Sequence, residues 1–346
     1  MRNGIENLNS PCSECVLCSF RGEPPKDALF LYASTPILRQ IVASKLKNLQ
    51  VRFQLENELF RIDEGQDLAI KGLLTGLSDA ECGDIRATRE SGAALLGASS
   101  LEALGKQIET AWFDDAVRSD TFTTFFQPIV DTRESRVFAH ECLIRLFSDR
   151  AYSGGEIIDT AISRGRVHLF DSYARRLSIR TAARQHKPHT KVFVNFMPSS
   201  IYDPALCMAS TLDELAKTGM TSDEIVFEVV ESDHVRDVKQ LRKICDFYRK
   251  QGFGFALDDV GTGTNSLQMV CDLKPDYIKL DKSLISGISD TMYNAAVRSL
   301  TEFADQFGLH VVAEGVETSE TAEILQSMGI HLMQGYYFGR PAAMMS

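Results

Sequence analysis

The chain has 346 residues, 44% of them hydrophobic and 24% charged, with a formal net charge of −10. That length suits a barrel-sized unit plus a smaller one, and the composition is that of a globular protein. The negative charge argues against a nucleic-acid polymer as main partner, because polymer binders present a basic face; a small anion held through metal ions remains compatible.

The opening residues, MRNGIENLNSPC, lack the apolar core of a signal peptide. No run approaches the roughly 18 apolar residues of a spanning helix. A cytoplasmic protein without a membrane span is expected. CSECVLC then places Cys12, Cys15 and Cys18 at two-residue intervals, with Cys82 a distant fourth. Four thiolates can form a structural zinc site; the alternative is a flexible, reduced tail. A ferredoxin-type cluster is disfavoured, because SFRGEP follows Cys18 where that motif needs a fourth cysteine and a proline. Cys142, Cys207, Cys245 and Cys271 are scattered, as packed reduced thiols are.

TPILRQIVASKLKNL sets Ile37, Leu38, Ile41, Val42 and Leu46 at helical spacing. VRFQL alternates like a strand, and ENELFRIDEG reads as its partner ending in a turn. Helical stretches are expected around 67–77 and 78–89. SGAALLGASS reads as a linker, and LEALGKQIETAWFDDAV as one helix leading onward. Residues 1–100 therefore predict a small α+β module for regulation or interaction, 101–118 a connecting helix, and 119–346 a second domain.

In that second domain, apolar or β-branched runs alternate with helical patterns. The runs are TFFQPIVD, FAHECLIRL, KVFVNF, EIVFEVV, FGFALDD, DYIKLD, HVVAEG and LMQGYYF. Strands separated by helix-length crossovers pair in parallel. Eight of them predict a closed (β/α)8 TIM-like barrel; an open doubly wound sheet is the alternative. Only TRESRV joins the first two runs, too short for a crossover, so the barrel should have an antiparallel first strand. Ser319 is the expected cap of a helix ending near Gly329.

Polar residues fall at the carboxyl ends of these strands, where such barrels carry their chemistry. In order they are Glu141, Asn195, Glu228, Asp258 with Asp259, Lys279, Glu314 and Gln334. Taken singly, each acid reads as a helix cap or surface charge. Converging on one mouth, they repel unless cations hold them. Carboxylates plus an amide oxygen form a hard, oxygen-only set suited to Mg²⁺ or Mn²⁺, and a pair of such ions is the clamp of in-line phosphoryl chemistry. Strand alternation sends neighbours to opposite faces, so Asp258 and Asp259 converge only where the strand breaks. Gly261 and Gly263 are the expected source of that break.

At these residues the chain resembles the EAL family of cyclic di-GMP phosphodiesterases, from about Phe125 to Pro341. The resemblance rests on FQPIV, ECLIR, VNF, FEVVES, DDVGTGTNSL, KPDYIKLD, VVAEGVET and QGYYFGRP, in order and spacing. It implies hydrolysis of cyclic di-GMP to linear pGpG by a homodimer carrying two Mg²⁺ or Mn²⁺ ions per site. Glu141, Asn195, Glu228 and Asp258 would bind a first metal, and Asp259 with Asp258 the second. Lys279 would hold the attacking water and phosphate, and Glu314 would support the metal centre. Gln334 would hydrogen-bond near the site. Gln127, Leu143 and Arg145 would contact the dinucleotide, with Arg145 on a phosphate oxygen. Glu231 would brace the loop after Asp259, and Glu317 would approach a guanine. Cys142 replaces the family's alanine, a small-for-small change. Val260, Thr264 and Asn265 depart from the pattern in the loop after Asp259, which bears on rate and regulation. The rival reading is a cyclic di-GMP receptor acting through a protein partner without turnover; the complete ligand set favours the enzyme.

Overall fold

In the computed structural model, which describes residues 28–56, 58–89, 98–148, 150–185, 190–201, 203–229, 238–261 and 267–345, the chain divides into two units, Met1–Asp120 and Thr121–Ser346.

In the first unit, strand β1 (Leu29–Ala33) precedes helix α1 (Pro36–Asn48), and strands β2 (Gln54–Glu56) and β3 (Leu59–Ile62) follow. Next come helices α2 (Gln66–Gly76) and α3 (Asp79–Gly83), strands β4 (Ile85–Thr88) and β5 (Ser99–Ser100), and helices α4 (Leu101–Glu109) and α5 (Ala111–Arg118). The sheet order is β2-β3-β1-β4-β5. β1 runs antiparallel to both β3 and β4. That is a split βαβ arrangement with the first strand at its centre. Alternation in LFLYA buries Leu29, Leu31 and Ala33 against Leu38, Val42 and Leu46 of α1 and Ile70 and Leu73 of α2.

Several local expectations change here. β1 was not anticipated, although its alternation is clear once its partners flank it. Ile37 is 71% exposed, because the buried face of α1 follows Leu38, Val42 and Leu46. The helix expected over 78–89 stops at Gly83. Ser78 and Glu81 cap its start reciprocally, and Ile85 and Ala87 then alternate into the core as β4. The stretch 101–118 is two helices meeting at Thr110, and Leu101 and Leu104 are buried in the first unit's core. Cys82 is buried in the same core. Cys12, Cys15, Cys18 and residues 91–97 of the expected linker lie outside the described residues.

The second unit begins with strands β6 (Phe122–Asp131), β7 (Arg136–Phe147) and the short β8 (Ala151–Tyr152), followed by helices α6 (Gly154–Ser163) and α7 (Val167–Ala183). Strand β9 (Lys191–Phe196), helix α8 (Pro204–Thr218), strand β10 (Ile225–Val229), helix α9 (Val238–Lys250) and strand β11 (Gly254–Val260) come next. Helix α10 (Leu267–Leu273), strand β12 (Tyr277–Leu280), helices α11 (Lys282–Ser286) and α12 (Thr291–Phe307), strand β13 (His310–Ala313), helix α13 (Ser319–Ser327) and strand β14 (Leu332–Gln334) complete it. The order β6-β14-β13-β12-β11-β10-β9-β7 closes through β6–β7 pairing, giving an eight-stranded barrel. β6 is antiparallel to both neighbours, and the other pairs in the ring are parallel. The open-sheet alternative is thereby excluded. Helix α13 is capped by Thr318 rather than Ser319: the Thr318 hydroxyl accepts from Thr321 N at 3.2 Å, one residue earlier than expected.

Each barrel strand contributes one residue to an apolar interior layer: Ile129, Ala139, Phe193, Val226, Ala256, Tyr277, Val312 and Leu332. Strand side chains repeat on one face every second residue. The residue two further toward the carboxyl rim is therefore also inward-facing, and in every strand it is polar. This layer seals the barrel beneath the polar ring. Replacing Phe193, fully buried in it, by Ala should destabilise the unit by about 3–5 kcal/mol. Urea unfolding checks this; an unchanged midpoint would contradict the packing role.

Candidate active site

The polar ring above that layer is Glu141, Asn195, Glu228, Asp258, Lys279, Glu314 and Gln334, with Gln127 contributed by the antiparallel β6, where it pairs opposite Glu141. All eight were read from the sequence, and the closed barrel brings them to one mouth. Lys279 sits at the centre, 1% exposed. Its Nζ contacts Glu228 Oε1 and Glu314 Oε1, and lies 3.1 Å from Asp258 Oδ1 and 3.5 Å from Glu141 Oε2. Gln334 Nε2 donates to Glu141 Oε2 at 2.6 Å and to Gln127 Oε1 at 3.2 Å. Asn195 Nδ2 donates to Glu141 Oε1 at 3.4 Å. Glu141 is thus held from two sides while its carboxylate faces the ammonium.

The two adjacent aspartates converge by a different device from the one expected. The β11–β12 register shifts between Leu257 and Val260, so that Asp258 and Asp259 together oppose a single step of β12. This is a β-bulge, which leaves an extra residue free to turn inward. Asp259 adopts a left-handed φ of +52°, and its N–H donates to Asp258 Oδ1 at 3.0 Å. The break therefore lies at the aspartates themselves. Gly261, at φ +107°, continues the turn. Gly263, Thr264, Asn265 and Glu231 lie outside the described residues.

Carboxylate oxygens of Glu228, Asp258 and Glu314 lie within 4.8 Å of one another, as do those of Asp259, Asp281 and Glu314. Glu314 belongs to both groups, so the two candidate metal positions adjoin. The residues fit a divalent cation. Glu228 Oε2 is a fully buried side-chain oxygen with no hydrogen-bond partner, a costly state unless a cation meets it. Every donor is oxygen, the set preferred by hard ions. Asp281 is a further member of the acidic centre that the strand-end pattern in DYIKLD, with its lysine, does not include. The signal was present: Asp281 stands two residues beyond Lys279, directly after the end of β12. It also caps α11 through Ser283 N, at 2.8 Å.

Without a cation, burial pushes the Glu314 carboxyl up to about 8 against the opposing pull of Lys279. Burial likewise raises Glu228 and Asp258. For Lys279 burial works against the charge, but Asp258, Glu141, Glu228 and Glu314 outweigh it and hold the ammonium well above its usual range. Cys142 is buried, and burial drives its thiol far above the usual range; it remains a neutral small group.

Cavities open on both sides of the ring. One of about 570 Å³ is lined by Leu143, Arg145, Asn195 and Asp259 among others, and a second of about 350 Å³ by Gln127, Lys279, Glu317 and Gln334. Both reach Glu141 and Asp258. The expected ligand-contacting residues thus divide between two lobes that share the acidic centre. Arg145 Nη1 donates to Ile144 O at 2.8 Å.

An eight-stranded TIM-like barrel with one antiparallel strand and an acidic, cation-fitting mouth defines the class. The family model described as "EAL domain" matches residues 110–341, and the chain belongs to the EAL-domain family. It is 29% identical over 231 residues to the cyclic di-GMP phosphodiesterase PdeF of Escherichia coli strain K12, covering 65% of this chain and 30% of that protein. It is 28% identical over 236 residues to the cyclic di-GMP phosphodiesterase NbdA of Pseudomonas aeruginosa strain PAO1, again 65% of this chain and 30% of that one. The chain therefore spans under a third of the length of these relatives. A standalone EAL protein of Vibrio cholerae O395, solved in its c-di-GMP-bound form, superposes with a TM-score of 0.60 at 32% identity, over 64% of this chain and 92% of that one. Among the described residues, no helix is long and apolar enough to cross a membrane.

Two measurements test this electrostatic picture. Lys279→Met leaves the buried carboxylates without their counter-charge and should cost about 3–5 kcal/mol in metal-free protein; saturating Mn²⁺ should recover part of it. Equal denaturation midpoints for variant and wild type would refute the assignment. For pH, the folded, metal-free protein keeps a proton on Glu314 that the unfolded chain releases near its ordinary value of 4.5. Stability from this group therefore declines as pH rises from 4.5 through about 8. A bound cation displaces that proton, so metal affinity should rise across the same interval. Calorimetric titration with Mn²⁺ at both ends of it should show the increase; pH-independent affinity would contradict it.

Proposed function

We propose that the chain hydrolyses one phosphodiester of cyclic di-GMP to linear pGpG. The observation that carries this reading is the pair of adjoining three-carboxylate groups sharing Glu314, set between two cavities that both reach Glu141 and Asp258. A two-lobed cleft with the acidic centre between its lobes suits a dinucleotide whose scissile phosphate lies at the middle. Membership of the EAL-domain family and the c-di-GMP bound by the Vibrio cholerae relative support the same choice of substrate.

Glu141, Asn195, Glu228 and Asp258 would hold one Mg²⁺ or Mn²⁺, and Asp258, Asp259 and Asp281 a second, with Glu314 facing both. When bound, such a pair supplies Lewis acidity and lowers the pKa of water toward neutrality. The protein's part is placement and charge. Gln334 and Asn195 fix the Glu141 carboxylate. The Lys279 ammonium, rigid among its carboxylates, stands ready to donate to a phosphoryl oxygen as negative charge grows there. A water gives up a proton to solvent, the resulting hydroxide adds to phosphorus as the P–O3′ bond breaks, and the departing 3′ oxygen takes a proton from solvent, so one water is consumed per bond cleaved. Leu143, Arg145, Gln127 and Glu317 would seat the two halves of the ligand. Glu231 keeps its proposed role in bracing the loop after Asp259. A cytoplasmic homodimer modulated by residues 1–100, with a protein partner on that module, completes the reading; the homodimer rests on the family resemblance, which begins at about Phe125, and the module's role on its standing as a separate unit. Zinc at Cys12, Cys15, Cys18 and Cys82 rests on spacing alone; Cys82 is buried in the first unit's core.

Purified protein incubated with cyclic di-GMP and Mn²⁺, followed by chromatography, should yield pGpG. Glu141→Ala should lower turnover by at least about 100-fold. Tight binding without product would favour the receptor reading instead, and absence of binding would sink both.

A further inference from the structure

The charge ledger of the second cavity is incomplete without one exposed lysine. Lys279 lines that cavity, but its charge is matched by four carboxylates within 3.5 Å. Lys282 lines it too, is exposed, and forms no ion pair with any described residue. The remaining charged lining groups are acids, Glu314 and Glu317 among them. A dinucleotide entering this lobe brings a phosphate into an acidic wall, and Lys282 is the one lining cation whose charge is still available.

Its position is set by backbone packing. Lys282 begins α11, directly after Asp281. Gly315, at φ +67°, passes so close that a Cβ there would fall 2.4 Å from Lys282 Cβ. The loop that carries Glu314 and Glu317 is thereby seated on the stem of this lysine, while the flexible end remains exposed. The same lobe contains Tyr336, 52% exposed, with the Arg340 guanidinium carbon 4.1 Å from its ring centroid. A ring polarised in this way suits stacking by a nucleobase. The lobe therefore presents a ring, a base-edge acceptor in Glu317, and a cation, which are the three chemistries of one nucleotide.

Resting on the functional reading above, we infer that Lys282 is a substrate-binding residue that pairs with a phosphate oxygen of the nucleotide half seated in the second cavity. The scissile phosphate has the acidic centre and its cations. A phosphate displaced from that centre needs positive charge from a side chain, and on this side Lys282 supplies it. Its contribution is made equally to ground and transition states, so it belongs in KM.

The experiment compares wild type, Lys282→Ala, Lys282→Arg and Lys282→Glu in cyclic di-GMP hydrolysis with Mn²⁺, at low and moderate salt. Lys282→Ala should raise KM about tenfold with kcat within about twofold, the size of one partly exposed charge-assisted contact. Lys282→Arg should restore KM, and Lys282→Glu should raise it further. The penalty should shrink as salt increases. Because the side chain is exposed, thermal midpoints should coincide, separating binding from folding. If wild type cleaves the dinucleotide and Lys282→Ala keeps its KM, the assignment of Lys282 is wrong while the functional reading stands. If wild type does not cleave it, both fall together.

Discussion

One ammonium group organises the functional end of this molecule. Lys279 is fully enclosed, and four carboxylates turn toward it, three from β7, β10 and β11 and one, Glu314, from directly after β13. Breaking a buried charge arrangement by removing one partner is expensive, so none of the five can be altered independently. The lysine also explains why the centre can persist before any divalent ion arrives: a monovalent cation is built in. It does not neutralise the acids. Glu228 Oε2 has no hydrogen-bond partner, and burial holds protons on carboxyls that would otherwise ionise. That residual deficit is what a divalent cation would meet, and its binding would couple metal affinity to proton release.

The barrel makes this arrangement possible by stacking two layers in register. An apolar layer from all eight strands lies below, and the polar ring lies two residues above it. Water is kept from the underside, which lowers the local dielectric and strengthens every interaction in the ring. Above the ring, two cavities reach the acids, and there the ligand is proposed to sit. Further hydrogen bonds tie the ring to the tail of the chain. Gln127 Nε2 donates to Gly339 O at 3.3 Å, and Phe126 pairs with Ala342. The tail thereby steadies Gln127, whose carbonyl accepts from the Gln334 amide that fixes Glu141.

Much of this was legible in the sequence. Apolar runs separated by helix-length spacers, with one short connection, specify a parallel barrel with an antiparallel strand at its seam. Acids at the ends of those runs mark the mouth. The reading weakened where short elements depend on neighbours. LFLYA becomes a central strand only because β3 and β4 flank it, and the stretch after Gly83 leaves its helix to pair with β1 while Ile85 and Ala87 bury in the first unit's core. Ile37 fits a helical period but lies just off the buried stripe. Cap positions also slipped, as at Thr318, because adjacent hydroxyls are equivalent until the backbone chooses one.

What the sequence determined by itself is the inventory: which strand carries which polar residue, and that carboxylates and amides predominate. Side-chain alternation is local, so it can be counted along the chain. The tertiary structure decided how the inventory is shared. Closure of β6 onto β14 joins Gln127 to Gln334, residues 207 apart. A bulge, rather than the glycines after it, turns Asp258 and Asp259 inward together, and Asp281 joins Asp259 and Glu314. The stagger of the strands puts Lys279 at the centre of the ring and leaves Lys282 on the wall of a cavity. Convergence depends on distances between strands, and those are fixed only when the ring closes.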